Sequence, residues 1–253
     1  RVRMCAVTWP WSFNRKMPEE INRMVTDSIA DYLFTPSPDG DENLLKEGHG
    51  ADSIYFVGNI MIDSLNSYLG QADCSSLLAR LGLESREYGL ITLHRPSNVD
   101  VEATFLEILK AFEQIQDRLS LLFPVHPRTR QRITSLEKAG KLQPMPNLHL
   151  IEPVGYLEFI ALERDARVIL TDSGGIQEES TVLGVPCLTL RENTERPITV
   201  SQGTNRLVNP YTVEILDALK PILNGEKTDG KIPEKWDGNT AQRIVQVLLE
   251  INS

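Results

Sequence analysis

The chain has 253 residues, of which 41% are hydrophobic, 24% charged and 6% aromatic; that composition is ordinary for a globular protein, and the length allows one or two domains with a sizeable core. A formal net charge of −9 argues against general nucleic-acid or membrane-surface binding, because both need a basic face, so any anionic ligand must be held by a local positive site. Cys5, Cys74 and Cys187 have neither the spacing of a disulfide framework nor that of a zinc site, no apolar run is long enough to span a bilayer, and the start has no signal-peptide plan; a reducing, cytoplasmic setting is expected.

Residues 1–11 (RVRMCAVTWPW) show no clear periodicity, and a chain opening on Arg1 is expected to be a fragment or a processed product. Pro18 suits the first position of a helix, and Glu19 and Glu20 suit its first turn. With the apolar stripe of Ile21, Met24, Val25 and Ile29 they predict a helix over 18–30. Short strands are expected at 32–35 and 54–57, with a polar helix between them and another helix at 60–68. These elements alternate but are too few to make a sheet of their own.

After residue 71 the alternation becomes regular. Strands are expected at 88–93, 121–125, 148–151, 168–171, 186–190 and 205–208, and helices near 101–119, 129–139, 156–163 and 176–183, with closing helices at 216–223 and 241–251. This is the pattern of a doubly wound parallel α/β sheet, in which ligands bind outside the carboxyl ends of the strands. The candidate residues gather there: His94 and Arg95, His126, Glu152, Asp172-Ser173-Gly174, and Arg191 with Arg196.

The stretch 168–196, VILTDSGGIQEESTVLGVPCLTLRENTER, anchors the chemistry. Val168, Ile169, Leu170 and Thr171 make a short buried strand, Asp172-Ser173-Gly174-Gly175 turns the chain, and 176–183 has helical spacing. Glycines let backbone approach a ligand, and the free N–H groups at the start of a helix favour a phosphate. Glu178 and Glu179, just inside that helix, suit paired hydroxyls of a ribose, and the following strand leads to Arg191 and Arg196. A merely structural turn is the competing reading.

In His94-Arg95-Pro96-Ser97-Asn98, Pro96 keeps Arg95 extended, so a proton-transfer group and a phosphate clamp sit side by side; a His that simply caps a strand is the alternative. Phe123-Pro124-Val125-His126-Pro127 forms a rigid loop that serves structure as readily as function. Glu19 and Glu20 are either first-turn helix charges or, if one reaches across a cleft, catalytic. Phe159 is either core or a face on which a base stacks, and His49 and His149 carry no assigned role.

The segments Pro18-Glu19-Glu20-Ile21-Asn22-Arg23, Gly58-Asn59, His94-Arg95, Pro124-Val125-His126-Pro127, Asp172-Ser173-Gly174-Gly175-Ile176-Gln177-Glu178-Glu179 and Thr194-Glu195-Arg196-Pro197, in that order, make the chain resemble the non-hydrolysing UDP-N-acetylglucosamine 2-epimerases from about residue 12 onward. The resemblance implies a glycosyltransferase-B-type α/β fold. In it, 1–71 would be the tail of a truncated N-terminal Rossmann-like domain, 72–236 an intact C-terminal UDP-binding Rossmann-like domain, and 237–253 a helix crossing back. It implies interconversion of UDP-GlcNAc and UDP-ManNAc through elimination of UDP to 2-acetamidoglucal and its re-addition, for surface polysaccharides, with no metal or other cofactor. By motif position, Glu19 and His94 would be catalytic; Ser173 and Gly174 would hold the diphosphate, Glu179 the ribose, Arg196 a phosphate or sugar oxygen, and Phe159 would lie by the uracil. Arg95 and His126 match positions that touch a second, activating UDP-GlcNAc, and the full-length protein would be a homodimer that binds neither nucleic acid nor membrane.

The chain departs from the family pattern before residue 12, where GTRPE-, HGDT- and VEAGLR-type segments are absent. A weakly active or inactive chain is therefore expected, with apolar surface uncovered around Ile21, Met24 and Tyr32. The competing functions are a hydrolysing epimerase that releases ManNAc, a retaining glycosyltransferase, for which no acceptor site is evident, and a UDP-sugar-binding module without catalysis.

Overall fold

The computed structural model describes residues 4–6, 18–226 and 229–251, with side chains from Ile21 onward. Three parallel strands, β1 (Met4–Ala6), β2 (Tyr32–Thr35) and β3 (Ile54–Phe56), do form a sheet of their own, in the order β1-β2-β3. The expected shortage of strands is corrected here. Met4–Ala6, too short to show a period, pairs with Tyr32, Leu33 and Phe34 of β2 through backbone bonds that need no sequence pattern.

α2 (Pro38–Lys46) packs on this sheet, and α1 (Pro18–Ile29) is joined to the end of α2 through Arg23. The inward face of α1 is the charged one: Arg23 and Asp27, one turn apart, are buried, and Arg23 bridges Asp27 at 2.7 Å and Glu47 at 2.6 Å. Its opposite face exposes Ile21, Val25 and Ile29, while Met24 and Tyr32 are half-buried. The apolar surface expected here is thus carried by α1 more than by β2.

Next come α3 (Ile60–Leu69) and α4 (Ser75–Leu81), then a six-stranded parallel sheet of β4 (Tyr88–Thr92), β5 (Ser120–Pro124), β6 (Leu148–Ile151), β7 (Val168–Thr171), β8 (Cys187–Leu190) and β9 (Asn205–Val208). Its order, β6-β5-β4-β7-β8-β9, reverses direction between β4 and β7, which makes that junction the switch point of a doubly wound sheet. The connecting helices are α5 (Pro96–Val99), α6 (Glu102–Ile115), α7 (Pro127–Lys138), α8 (Tyr156–Asp165), α9 (Gly174–Leu183), α10 (Pro197–Ser201) and α11 (Thr212–Leu223), and α12 (Thr240–Ile251) closes the described chain. The short α4, α5 and α10 were not legible as periodic runs. β8 begins one residue later than expected, after Pro186, which has no N–H to give a ladder.

The strands read as unbroken apolar runs because both faces of the sheet are covered. Alternate residues go to opposite sides. Ile91, Leu121, Phe123, Val168, Leu170, Leu188 and Leu190 pack beneath α6 and α11, whereas Leu90, Leu122, Ile169 and Cys187 pack with α3, α4, α8 and α9. No described helix is long and apolar enough to cross a membrane.

The segment before α12 ties the two sheets together. Trp236 is buried and its Nε1 donates to the Pro36 carbonyl at 2.9 Å; Lys235 Nζ donates to the Phe56 carbonyl and lies over the Phe56 ring; Asp63 accepts from the amides of Thr240 and Ala241. Gly58 permits this approach: its φ is +100°, and a Cβ there would meet the Lys235 carbonyl oxygen at 2.2 Å. Gly58→Ala is expected to cost about 1–3 kcal/mol, and Trp236→Ala about 3–5 kcal/mol, in urea unfolding of the purified chain.

Candidate functional site

β4 and β7 end side by side, with Thr92 Oγ1 and Thr171 Oγ1 2.6 Å apart, and both chains then turn into loops over the switch point. Asp172, the next residue after β7, is fully buried and gathers the β4 loop around it. Its carboxylate accepts from the amides of His94 (3.1 Å) and Arg95 (3.0 Å), from Asn98 Nδ2 (3.1 Å) and from His94 Nδ1 (2.8 Å). Asn98 Nδ2 also donates to the Leu190 carbonyl at the end of β8. Burial alone would raise the Asp172 pKa, but these donors, His94 foremost, more than offset it and hold the carboxyl below its ordinary range.

His94 is the other half of this dyad. The hydrogen bond to Asp172 raises its pKa against an opposing effect of burial. With Nδ1 committed to Asp172, the ring has its Nε2 left for other partners, on a side chain still 66% exposed. Arg95 has the extended backbone that Pro96 imposes, with φ −68° and ψ 133°. Its Nε donates to the Asp172 carbonyl and its Nη2 bridges Glu195 at 3.2 Å.

The expected glycine turn is corrected: Gly174 and Gly175 are the first residues of α9, with Ser173 as the N-cap, and neither has positive φ. What the glycines contribute is open backbone. A Cβ at Gly175 would touch nothing within 4 Å, and one at Gly174 would meet only Glu195 Oε2, at 3.8 Å. The N-cap side chain makes no capping bond, so the first-turn amides lack that internal acceptor and remain available to an anion.

A groove of about 300 Å³ at this edge is lined by His94, His126, Phe159 and Ser173, together with Pro124 and Ile176. Four of the predicted residues therefore share one surface. His126 caps α7, its Nδ1 accepting from the Arg128 amide at 3.3 Å, and Phe159 is half-buried on α8. Glu179 lies a turn further into α9, nearly buried, where its Oε1 accepts from the Tyr156 hydroxyl at 3.0 Å.

The two adjacent glutamates divide. Glu178 turns the other way, accepting from Asn59 Nδ2 at 2.9 Å and pairing with Arg196 Nε at 2.7 Å, in a mostly apolar pocket with Phe34, Val57 and Ile244. Burial raises the Glu178 pKa, only partly offset by Arg196 and Asn59. Arg196 is thus held by protein carboxylate. Arg191 is likewise engaged, by Glu195; burial would raise the Glu195 pKa, but Arg191 and Arg95 hold it below the ordinary range. Glu152 pairs with Arg130 in an adjoining pocket, and the Glu19 side chain lies outside the described residues. Among the described residues no group of three or more His, Cys, Asp or Glu gathers as metal ligands would.

Sequence reasoning placed Asp172 among the candidates at the sheet edge without a specific role and assigned none to Asn98, Asn59 or Glu163; all four are buried. For Asp172 there was a signal, a carboxylate directly following four strand-forming residues. For Glu163 there was another, an acid in the apolar run Phe159-Ile160-Ala161-Leu162.

Fold and edge together define a doubly wound α/β protein with an anion-receptive helix start at its switch point. The chain belongs to the UDP-N-acetylglucosamine 2-epimerase family, whose description it matches over residues 11–249. It is 42% identical over 243 residues to the UDP-N-acetylglucosamine 2-epimerase of Methanocaldococcus jannaschii, covering 94% of this chain and 66% of that protein. It is 36% identical over 245 residues to the UDP-2,3-diacetamido-2,3-dideoxy-D-glucuronate 2-epimerase of Pseudomonas aeruginosa, with 95% and 66% covered. The crystal structure of the Methanocaldococcus jannaschii UDP-GlcNAc 2-epimerase in complex with UDP-GlcNAc and UDP superposes with a TM-score of 0.80 at 41% identity, covering 95% of this chain and 67% of that one.

The His94–Asp172 pair generates a pH prediction. Because the folded pKa of His94 is raised, the pair contributes stability that is full below the ordinary histidine value of about 6.5 and is lost as pH rises through the folded value. Asp172→Asn is expected to lower the His94 titration midpoint, read from its ring proton signals by NMR. An unchanged midpoint would show that the pair does not set it.

Proposed function

We propose that the protein interconverts UDP-GlcNAc and UDP-ManNAc, and that this chain supplies its UDP-binding part. The chain spans 66% of the length of its Methanocaldococcus jannaschii relative. One observation carries it: His94, Phe159 and Ser173 share the groove over the switch point, at the open start of α9, in a chain 41% identical to an epimerase crystallised with UDP-GlcNAc and UDP. Both named relatives act on UDP-linked sugars, so the uridine diphosphate is the ligand portion with most support.

In this proposal the α9 amides and Ser173 receive the diphosphate, Glu179 the ribose hydroxyls, and Phe159 lies by the uracil. Arg196 exchanges Glu178 for a phosphate or sugar oxygen. The C2 proton is removed, its electron pair forms the C1=C2 bond of 2-acetamidoglucal, and the C1–O bond breaks with its pair on UDP. Return delivers the proton to the opposite face of C2 as UDP adds back. His94, kept cationic to higher pH by Asp172, stabilises charge on the departing diphosphate. Glu19 serves the proton transfer at C2, and Arg95 with His126 borders the activating UDP-GlcNAc. A cytoplasmic homodimer serving surface polysaccharide synthesis belongs to the same proposal and rests on family likeness.

Incubating the purified chain with UDP-GlcNAc and resolving the products tests this. UDP-ManNAc supports non-hydrolysing epimerisation; free ManNAc with UDP supports the hydrolysing reaction; calorimetric binding of UDP without product leaves a nucleotide-binding module. Phe159→Ala is expected to weaken UDP binding about tenfold. His94→Asn is expected to retain UDP binding while losing any turnover.

A further inference from the structure

Glu163 is a carboxyl group in the protein interior with an unusual neighbour. Tyr156 and Glu163 are seven residues apart on α8, about two turns, and therefore on one face. That face meets α9 at Glu179. Tyr156 donates to Glu179 Oε1 at 3.0 Å, and the Glu163 carboxyl comes within hydrogen-bonding reach of the same Glu179 carboxyl. Glu163 has no solvent exposure, and among the described residues no N–H or hydroxyl donates to either of its oxygens.

Among the described residues, the packed elements supply no counter-charge to this pair. Glu178, beside Glu179 on α9, is already paired with Arg196. Cys187 of β8 is a thiol whose pKa burial pushes up to about 12, and burial likewise raises the phenol of Tyr156, whose ring packs edge-on against Tyr68 of α3. Arg164, next to Glu163 in sequence, turns to Asp165 and the Ala72 carbonyl. Two facing carboxylates in such a place cannot both be ionised at modest cost, and one shared proton removes the conflict.

We propose that Glu163 is a positioning residue: a neutral carboxylic acid that donates a hydrogen bond to Glu179, leaves a single negative charge on the pair, and fixes Glu179 to accept the paired hydroxyls of a nucleotide ribose. This rests on Glu179 being the ribose acceptor. Burial raises both carboxyls above the ordinary range, Glu163 the more strongly. Nucleotide binding is thereby linked to that proton. Alkaline loss of it puts a second charge beside Glu179 and disorders the acceptor; acid protonation of Glu179 removes the anion that the hydroxyls need.

Infrared spectra of the nucleotide-free chain read the proton directly. A protonated-carboxyl C=O band is expected in the parent protein at neutral pH and is expected to be missing from Glu163→Gln. A parent without the band, or a variant that keeps it, overturns the proposal. Calorimetric titration with UDP between about pH 6 and about pH 9 reads the linkage. The parent should lose about tenfold in affinity across the alkaline half of that range, whereas Glu163→Gln, which keeps an N–H donor, should bind within about threefold of the parent at neutral pH and stay level. Glu163→Leu, with similar bulk and no donor, should bind about tenfold more weakly at neutral pH. An alkaline decline retained in Glu163→Gln overturns the linkage. Failure of UDP to bind the parent would sink the ribose assignment and the linkage together, while the infrared band still decides on the shared proton.

Discussion

The edge of the larger sheet is organised by one buried carboxylate. Asp172 sits where β7 ends, and the amides of His94 and Arg95 together with the side chains of His94 and Asn98 all donate to it. A buried charge left without such donors would cost several kcal/mol, so the loop after β4 is held to this geometry by the penalty of opening it. Asn98 carries the same constraint on to the end of β8 through the Leu190 carbonyl. The ends of three strands are thereby registered, and with them the position of the His94 ring.

Around that centre, acids and bases are paired within the protein before any ligand arrives. Arg191 and Arg95 share Glu195, and Arg196 holds Glu178 together with Asn59 at the seam between the two sheets. Arg95 and Arg191 line a neighbouring pocket and Arg196 the seam, each already engaged by a carboxylate, whereas the amides of α9 face no such competitor from the Ser173 side chain. Adjacent residues on α9 point to different business: Glu178 to the seam, Glu179 to Tyr156 and Glu163.

The smaller sheet follows a different balance. On α1 the charged pair Arg23 and Asp27 is buried and neutralised further by Glu47, while Ile21, Val25 and Ile29 face outward. A stripe at helical spacing establishes that a helix exists, but the side it buries depends on what lies beside it. Here the neighbouring α2 end offers a carboxylate, Glu47, and the ionic face packs inward.

Apolar runs, proline and glycine punctuation and the DSGGIQEE segment were enough to establish a doubly wound parallel sheet, its strands to within a residue or two, and the edge on which the candidate residues gather. These are local properties, set by side-chain period and backbone freedom. The three-residue β1, the short α4, α5 and α10, the placement of Gly174 and Gly175 inside α9, and the division of Glu178 from Glu179 were decided only by tertiary structure. Each depends on partners distant in the chain: Asp172 with the β4 loop, Glu178 with Asn59, Glu163 with Glu179. Pairing at that separation leaves no period in a sequence, because the free energy of a buried charge depends on the atoms that surround it and not on its neighbours along the chain.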